Sequence, residues 1–378
     1  MGYAERKEQS LQGNVPNLRF PEFSGEWEKY RLKDIANISK ERIGINMLSN
    51  NNYISTENMK SDFGGVDVAI NLPASGNVIK FQKGDTLLSN IRPYLKKIWQ
   101  AKFDGGCSAD IFVFRSNILC NSDFLYYTLA NEKFISYAMS GAKGVKMPRG
   151  DKEQILKYEL HLPTTIEQNK ITSFLSLLDE RIATQIKIIE DLKKLKSAIR
   201  ARVFKQLESN CECWTEIGNM LQYEQPSKYL VASTEYSDSY ATPVLTANKA
   251  FILGYTDEEF GIYSKGECVI FDDFTMDVKF VNFPFKVKSS AIKILTSNSG
   301  NDLYFVYEYL QNLGLVSEEH KRHYISEIEP MMLACPTFEE QQNISNLLRS
   351  FDRKIEYANR ELTLYNKQKQ YLLSQMFI

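Results

Sequence analysis

The sequence has no run of about eighteen apolar residues, no phosphate-cradling G-x-x-x-x-G-K-[ST] loop and no C-x-x-C pair. The first absence excludes a helical membrane span. The second excludes an ATP-driven motor of the P-loop type. The third, with only three histidines (His161, His320, His323), leaves no zinc set. Among the six cysteines only Cys211 and Cys213 are close, and C-x-C alone is a weak metal signal, so all six read as free thiols of a reducing compartment. The polar start, "MGYAERKEQSLQGNVPNLRF", lacks the apolar core of a signal peptide, and a cytoplasmic location is expected. Charge of either sign is not in excess: 46 basic against 47 acidic residues give a formal net charge of -1. Totals of this kind argue mildly against a nucleic-acid binder, but local distribution matters more. With 43% hydrophobic and 12% aromatic residues over 378 positions, the chain can build two or three packed domains.

Proline and glycine are absent from Thr164 to Phe204 and again from Thr337 to Ile378. Both stretches belong to an internal repeat. "LPTTIEQNKITSFLSLLDERI" from Leu162 aligns without a gap on "CPTFEEQQNISNLLRSFDRKI" from Cys335, at an offset of 173 residues. Pro163 falls on Pro336, Glu167 on Glu340, Gln168 on Gln341, Asp179 on Asp352, Lys196 on Lys369 and Phe204 on Phe377. The period is far too long for a solenoid and points to two copies of a domain plus a helix. Each copy opens with a capping box, Thr164-x-x-Glu167 and Thr337-x-x-Glu340. Helices of roughly forty residues, about 60 Å each, are predicted.

Apolar spacing of four and three defines a seam on both helices. In the first it runs Ile171, Leu175, Leu178, Ile182, Gln185, Ile189, Leu192, Lys196, Ile199, Val203. In the second it runs Ile344, Leu348, Phe351, Ile355, Ala358, Leu362, Tyr365, Lys369, Leu372, Met376. Five heptads of this kind predict a coiled coil. Copies related by repetition favour an antiparallel, pseudo-twofold pairing. Lys196 and Lys369 interrupt the seam at the same repeat position, where polar residues commonly fix register.

The stretches between helices look like diverged copies of one mixed α/β fold. Each opens on a tryptophan (Trp27, Trp214). Each contains "KGDTLLS" or "KGECVIF" and a short aromatic helix, "SDFLYYTLA" or "NDLYFVYEYL". The expected layout is an N-terminal arm (1–21), a first globular domain (22–162), a first long helix (163–207), a second globular domain (208–335) and a second long helix (336–378). Loops differ most between the halves, and loops on a rigid scaffold carry recognition. Several are basic. Asn90, Arg92, Tyr94, Lys96 and Lys97 lie in "NIRPYLKKIWQAK", and Lys143, Lys146 and Arg149 in "GAKGVKMPRGDK". In the second half Lys279 and Lys286, with Lys288 and Lys293, cluster around "DVKFVNFPFKVK", and Lys321 and Arg322 form a further group. Cations mixed with amides and aromatics suit phosphate anchoring and base-edge reading.

The order of these parts resembles the specificity subunit of a type I restriction–modification enzyme, over essentially the whole chain. The doubled P-x-x-x-E-Q helix (Pro163/Glu167/Gln168 and Pro336/Glu340/Gln341) is the specific feature. The resemblance implies two target recognition domains reading a split double-stranded DNA sequence. It implies that the conserved helices form an antiparallel spacer docking two methyltransferase subunits, with restriction subunits completing the complex. It implies no catalytic centre, metal or cofactor in this chain, S-adenosylmethionine and ATP/Mg belonging to partner subunits, and no membrane partner. The second half is shorter and lacks the "GAKGVKMPRGDK" loop. The rival reading is a single-chain DNA methyltransferase or nuclease. "NFPF" (Asn282–Phe285) has Phe283 where an N-P-P-F motif has proline, and no cofactor loop precedes it. Asp277-x-Lys279 in "DDFTMDVK" lacks upstream acids at a distance fit for a nuclease sheet.

Overall fold

The computed structural model describes residues 13–246, 251–317 and 322–378. It is mixed α/β and falls into two compact units, residues 1–185 with 361–378, and residues 186–360. Both long helices contribute residues to each unit.

In the first unit the elements run β1 (Glu28–Arg31), α1 (Leu32–Ile35), β2 (Ala36–Ile38), β3 (Arg42–Gly44), β4 (Tyr53–Ile54), β5 (Asn77–Phe81), β6 (Thr86–Ser89), β7 (Ile98–Gln100), β8 (Gly105–Cys107) and β9 (Ile111–Ser116). Then come α2 (Ser122–Leu129), α3 (Glu132–Ser140), α4 (Lys152–Ile155), β10 (Glu159–Leu162) and the long α5 (Thr165–Asn210). β1 pairs antiparallel with β10. One four-stranded sheet has the order β2-β9-β6-β7 and another β3-β5-β8-β4.

The second unit contains β11 (Trp214–Glu216), α6 (Ile217–Met220), β12 (Leu221–Glu224), β13 (Thr242–Leu245), β14 (Ile252–Thr256), β15 (Cys268–Asp272), β16 (Val278–Val281), β17 (Lys286–Val287) and β18 (Ile292–Ser297). α7 (Leu303–Leu313), β19 (Met332–Ala334) and the long α8 (Phe338–Met376) follow. β11 pairs antiparallel with β19, and the main sheet has the order β12-β18-β15-β16. These repeat the β1/β10 pair and the β2-β9-β6-β7 order of the first unit. The accessory sheet differs, being three-stranded with the order β14-β13-β17.

The helix ends explain why the P-x-x-x-E-Q motif recurs. Gln168 Oε1 accepts the N–H of Asn121, which caps α2, at 2.8 Å, and its Nε2 donates to the Pro163 carbonyl at 3.0 Å. Gln341 repeats both contacts, accepting from Asp302, which caps α7, at 2.9 Å and donating to the Pro336 carbonyl at 3.1 Å. Each glutamine thus ties a long helix to the short aromatic helix of its own unit. The capping box is complete at Thr337–Glu340, where Glu340 accepts from the Thr337 N–H. It is half-formed at Thr164–Glu167. The Glu167 N–H donates to Thr164, but the carboxylate turns to Arg19 and to the Trp27 indole N–H. Arg19 is thereby held above the ordinary guanidinium range, chiefly by that hydrogen bond. The described part of the arm, residues 13–21, also sends the Leu18 N–H to the Gln375 carbonyl and packs Phe20 edge-on against Phe174. It belongs to the first unit.

Every seam position is buried or half-buried. Within the first unit the pairs Asp179–Lys369, Arg181–Tyr365 and Gln185–Glu361 step in opposite directions along α5 and α8, so the pairing there is antiparallel. The two lysines in the seam are explained by exchange between the copies. Lys369 Nζ lies 2.5 Å from Asp179, which also accepts from the Tyr127 hydroxyl at 2.8 Å. Lys196 Nζ lies 2.5 Å from Asp352, which accepts from the Tyr304 hydroxyl. Each copy's lysine therefore meets the other copy's repeat-equivalent aspartate. In the second unit Glu308 adds a further carboxylate, 2.6 Å from Lys196 and 3.4 Å from Arg200. The helix ends also enter the cores. Phe377 meets Phe124 at 5.0 Å between ring centres, and its repeat partner Phe204 meets Tyr309 at 4.5 Å.

Candidate nucleic-acid interface

In the first unit the β6–β7 connection, residues 90–97, is pinned by two other segments. The Arg92 N–H donates to the Pro148 carbonyl at 2.8 Å and the Gly150 N–H to the Asn90 carbonyl at 3.1 Å. On the other side the N–H groups of Asp62 and Phe63 donate to the carbonyls of Leu95 and Lys96, each at 3.0 Å. Asp62, Phe63, Arg92 and Lys96 all have φ between 51° and 60°. Four non-glycine residues in the left-handed region at one junction store strain, at roughly 1–2 kcal/mol each. Such strain concentrates where a binding surface is shaped in advance.

The two basic loops of the first half are therefore brought together, but most of their cations are already engaged. Lys96 Nζ lies 2.5 Å from Glu132 and 3.8 Å from Asp62, and Lys97 Nζ donates to the Thr56 carbonyl at 2.7 Å. Lys143 lies 2.7 Å from Asp151 and Arg149 lies 3.1 Å from Asp110. The Lys143 ammonium, with the Gln154 amide, holds the Asp151 carboxyl below the usual range, and Lys143 is raised in turn. Asn90 Oδ1 and Arg92 Nε are buried and lack a hydrogen-bond partner among the described residues, a cost unless a ligand or water meets them. Tyr94 and Lys146 are exposed, and Lys146 has no ion-pair partner among the described residues.

The second unit corrects the reading of its basic residues. Lys286 has no exposed side-chain surface. Its ammonium lies 2.7 Å from Glu258, donates to the Phe260 carbonyl at 2.7 Å and sits 4.3 Å from the Phe260 ring centre. It is an interior ion pair supporting the 258–260 loop and offers no exposed charge. Lys293 is likewise buried, 3.6 Å from Asp273 and over the Tyr223 ring. Lys279, Lys288 and Arg322 are exposed, and Lys321 lies outside the described residues. The β15–β16 connection, topologically the counterpart of 90–97, is acidic. Asp272 accepts from the Phe274 N–H at 2.9 Å, and Asp273 caps the segment after Arg322 by accepting from the His323 and Tyr324 N–H groups at 3.0 and 2.8 Å. Sequence reasoning missed the strained "SDFGG" turn at 61–65, whose paired glycines were the available signal.

No group of three or more His, Cys, Asp or Glu side chains among the described residues is arranged to hold a metal. No helix among them is long and apolar enough to cross a membrane. Burial pushes the thiols of Cys107, Cys120 and Cys268 up to about 12, so these are core packing groups and not nucleophiles.

Residues 24–194 match the family model described as the type I restriction modification DNA specificity domain. Over 176 residues the chain is 42% identical to the specificity subunit of the type I restriction enzyme EcoR124I/EcoR124II of Escherichia coli, covering 43% of this chain and 44% of that protein. Over 205 residues it is 26% identical to the MjaVIII specificity subunit of Methanocaldococcus jannaschii, covering 50% of this chain and 43% of that protein. The chain thus spans less than half the length of these curated relatives. Across 96% of this chain and 99% of the other, the fold superimposes on a type I S subunit from M. genitalium with a TM-score of 0.60 at 15% identity. A structure from a study of type I R-M complex assembly superimposes with a TM-score of 0.54 at 16% identity. Residues 24–194 are thus similar to the type I restriction modification DNA specificity domain, and nearly the whole chain shares the fold of a type I S subunit.

Proposed function

We propose that the chain is the sequence-recognition subunit of a type I restriction–modification system, each unit reading one part of a split DNA target. The observation that carries this reading is repetition with selective divergence. The two units share the β1/β10-type pair, the order of the main sheet and the glutamine clasp, yet differ in accessory sheet and in the loop at the same hairpin. Scaffolds kept alike while loops diverge suit one task performed on two targets. Catalysis, S-adenosylmethionine and ATP/Mg then belong to methyltransferase and restriction subunits.

Surface chemistry supports docking of such partners on the long helices. In the first unit Ile166 and Leu177 of α5 and Leu364 and Tyr371 of α8 are exposed, and in the second Ile188 and Leu195 of α5 and Tyr357 of α8 are exposed. Steps of eleven and seven keep these residues close to one stripe of each helix, outside the seam positions. Apolar stripes of this kind mark interaction sites. The test is a methylation-site profile of cells with and without the gene, together with the purified chain assayed alone with S-adenosylmethionine. Loss of one split motif, and no methyl transfer by the isolated chain, is expected. Methyl transfer by the chain alone sinks the reading. DNA binding by the assembled complex should weaken steeply with salt, because phosphate contacts release counterions.

A further inference from the structure

We propose that the tip Val145–Met147 of the 143–149 ribbon is the specificity-determining element of the first unit, contacting thymine methyl groups in the major groove. The proposal rests on the DNA-recognition reading above and names the feature of the target that this loop senses.

The ribbon is short and braced. Lys143 and Arg149 each donate a backbone N–H to the other's carbonyl at 2.9 Å, closing an antiparallel bridge. Ile91 bridges Arg149 on the outer side, and the Arg92 N–H to Pro148 and the Gly150 N–H to Asn90 fasten the C-terminal strand of the ribbon to the 90–97 loop. Gly144 turns the chain at φ +99°, and a Cβ there would lie 3.3 Å from the Met147 carbonyl oxygen. The turn is therefore held in one shape by glycine and by its stem.

What the stem presents is unusual for a solvated loop. Val145 is fully exposed and Met147 half-exposed, with the exposed Lys146 between them. The stem cations Lys143 and Arg149 are neutralised by Asp151 and Asp110, so the charge left at the tip is Lys146. An ordinary surface turn would use polar residues, and a turn docking into its own domain would bury the valine. A rigid apolar tip carrying one unpaired cation matches an apolar base edge flanked by phosphate. The major groove admits a two-stranded ribbon, and its one apolar feature is the thymine C5-methyl. The sequence of the second half lacks the "GAKGVKMPRGDK" phrase, so the sensing is assigned to the first half-site alone.

The experiment uses the full chain assembled with its methyltransferase partner and the duplex target found by methylation profiling. Thymines of the first half-site are replaced one at a time by deoxyuridine, which lacks only the methyl. At each contacted position affinity should fall about fourfold, the worth of one buried methyl group. Val145→Ser/Met147→Ser should lower affinity for the thymine duplex and show no further response to deoxyuridine at those positions, while thymines of the second half-site behave as before. Both side chains are exposed, so the thermal melt should not change. If the variant fails to assemble, the deoxyuridine series on the unaltered complex decides alone. A first half-site without thymine, or one indifferent to every deoxyuridine replacement, overturns the proposal and leaves the recognition reading standing. An assembled complex with no sequence preference removes both.

Discussion

Lys196 and Lys369 occupy the same repeat position, yet replacing each by methionine should have unequal consequences. Methionine keeps the length and the apolar stem and removes only the charge. At Lys196 the loss leaves Asp352 and Glu308 converging on an empty ammonium site, and Glu308 has no exposed side-chain surface. The remaining cation is Arg200, at 3.4 Å. A buried carboxylate stripped of its partner costs about 3–5 kcal/mol. At Lys369 the charge left behind is Asp179, a third exposed and still accepting from the Tyr127 hydroxyl. Water and the phenol take up much of the loss, and about 1–2 kcal/mol is expected. At about 2–4 °C per kcal/mol for a unit of this size, Lys196→Met should lower the melting transition by roughly 6–20 °C and Lys369→Met by roughly 2–8 °C. Adding Glu308→Gln to Lys196→Met should recover part of the loss, because the uncompensated charge goes with it. Thermal melts with site-resolved hydrogen exchange read both effects. Equal losses at the two lysines, or a Glu308→Gln change that deepens the loss, would refute the reasoning.

Gln168→Leu and Gln341→Leu should each cost about 1–3 kcal/mol by stranding the N–H of Asn121 or Asp302, measured by denaturant titration. Lys286→Met should lower stability through the stranded Glu258 while leaving the salt dependence of DNA binding unchanged, whereas Lys146→Ala should reduce the salt slope by about one and leave the melt alone. His161 is held below its usual pKa, first by burial and then by Lys29. The unfolded chain therefore takes up the proton first as pH falls, so stability should drop from near pH 6.5 downward and level off at the folded value. His161→Leu should flatten that part of the melting-temperature profile. If α5 sets the gap in a split target, four residues inserted after Gln185 lengthen it by about 6 Å and should widen the gap by one or two base pairs without altering either half-site. A methylation profile reads this, and an unchanged gap counts against the helix as a spacer.

The long helices were legible because two independent features agree, the absence of proline and glycine and a seam sustained with a repeat. The reciprocal partners of Lys196 and Lys369 were not, although the aspartates were already aligned at Asp179 and Asp352. The alignment gives equivalence between copies, and the exchange of partners between them requires knowing that the pairing runs antiparallel in the right register. The basic loops were legible as charge but not as free charge. Lys96, Lys97 and Arg149 are each met by an acid or a carbonyl distant in sequence (Glu132, Thr56 and Asp110), and Lys143 by Asp151 of its own loop. Lys286 is the extreme case: in "NFPFKVK" it looks like a surface cation, and only the approach of Glu258 and Phe260 makes its burial tolerable.

The divergence between the copies is not evenly spread, and its placement carries a physical reason. Positions that hold a long helix against its own domain are constrained from both sides. Gln168 and Gln341 must satisfy a backbone amide and a carbonyl at once, and each seam lysine must meet an aspartate of the other copy. A change in one member strands a buried partner, so the copies stay alike there. The hairpin between β6 and β7 and that between β15 and β16 are tied to segments of their own unit and hold no residue of the clasp or the seam. The first became long, basic and braced by left-handed residues. The second became short and acidic, with Asp273 used to cap the segment that follows Arg322. If recognition resides in that hairpin, as proposed, it can be rewritten there without disturbing the clasp, because no residue of the clasp lies in it. A chain carrying 90–97 and 143–150 in place of the second unit's loops, with Asp273 kept for Lys293 and for the His323 and Tyr324 N–H groups, should therefore fold, and on the proposed reading should acquire the first half-site's preference at both ends of its target. Correct assembly with a methylation profile that still shows two different half-sites would show that base readout resides in the accessory sheets instead.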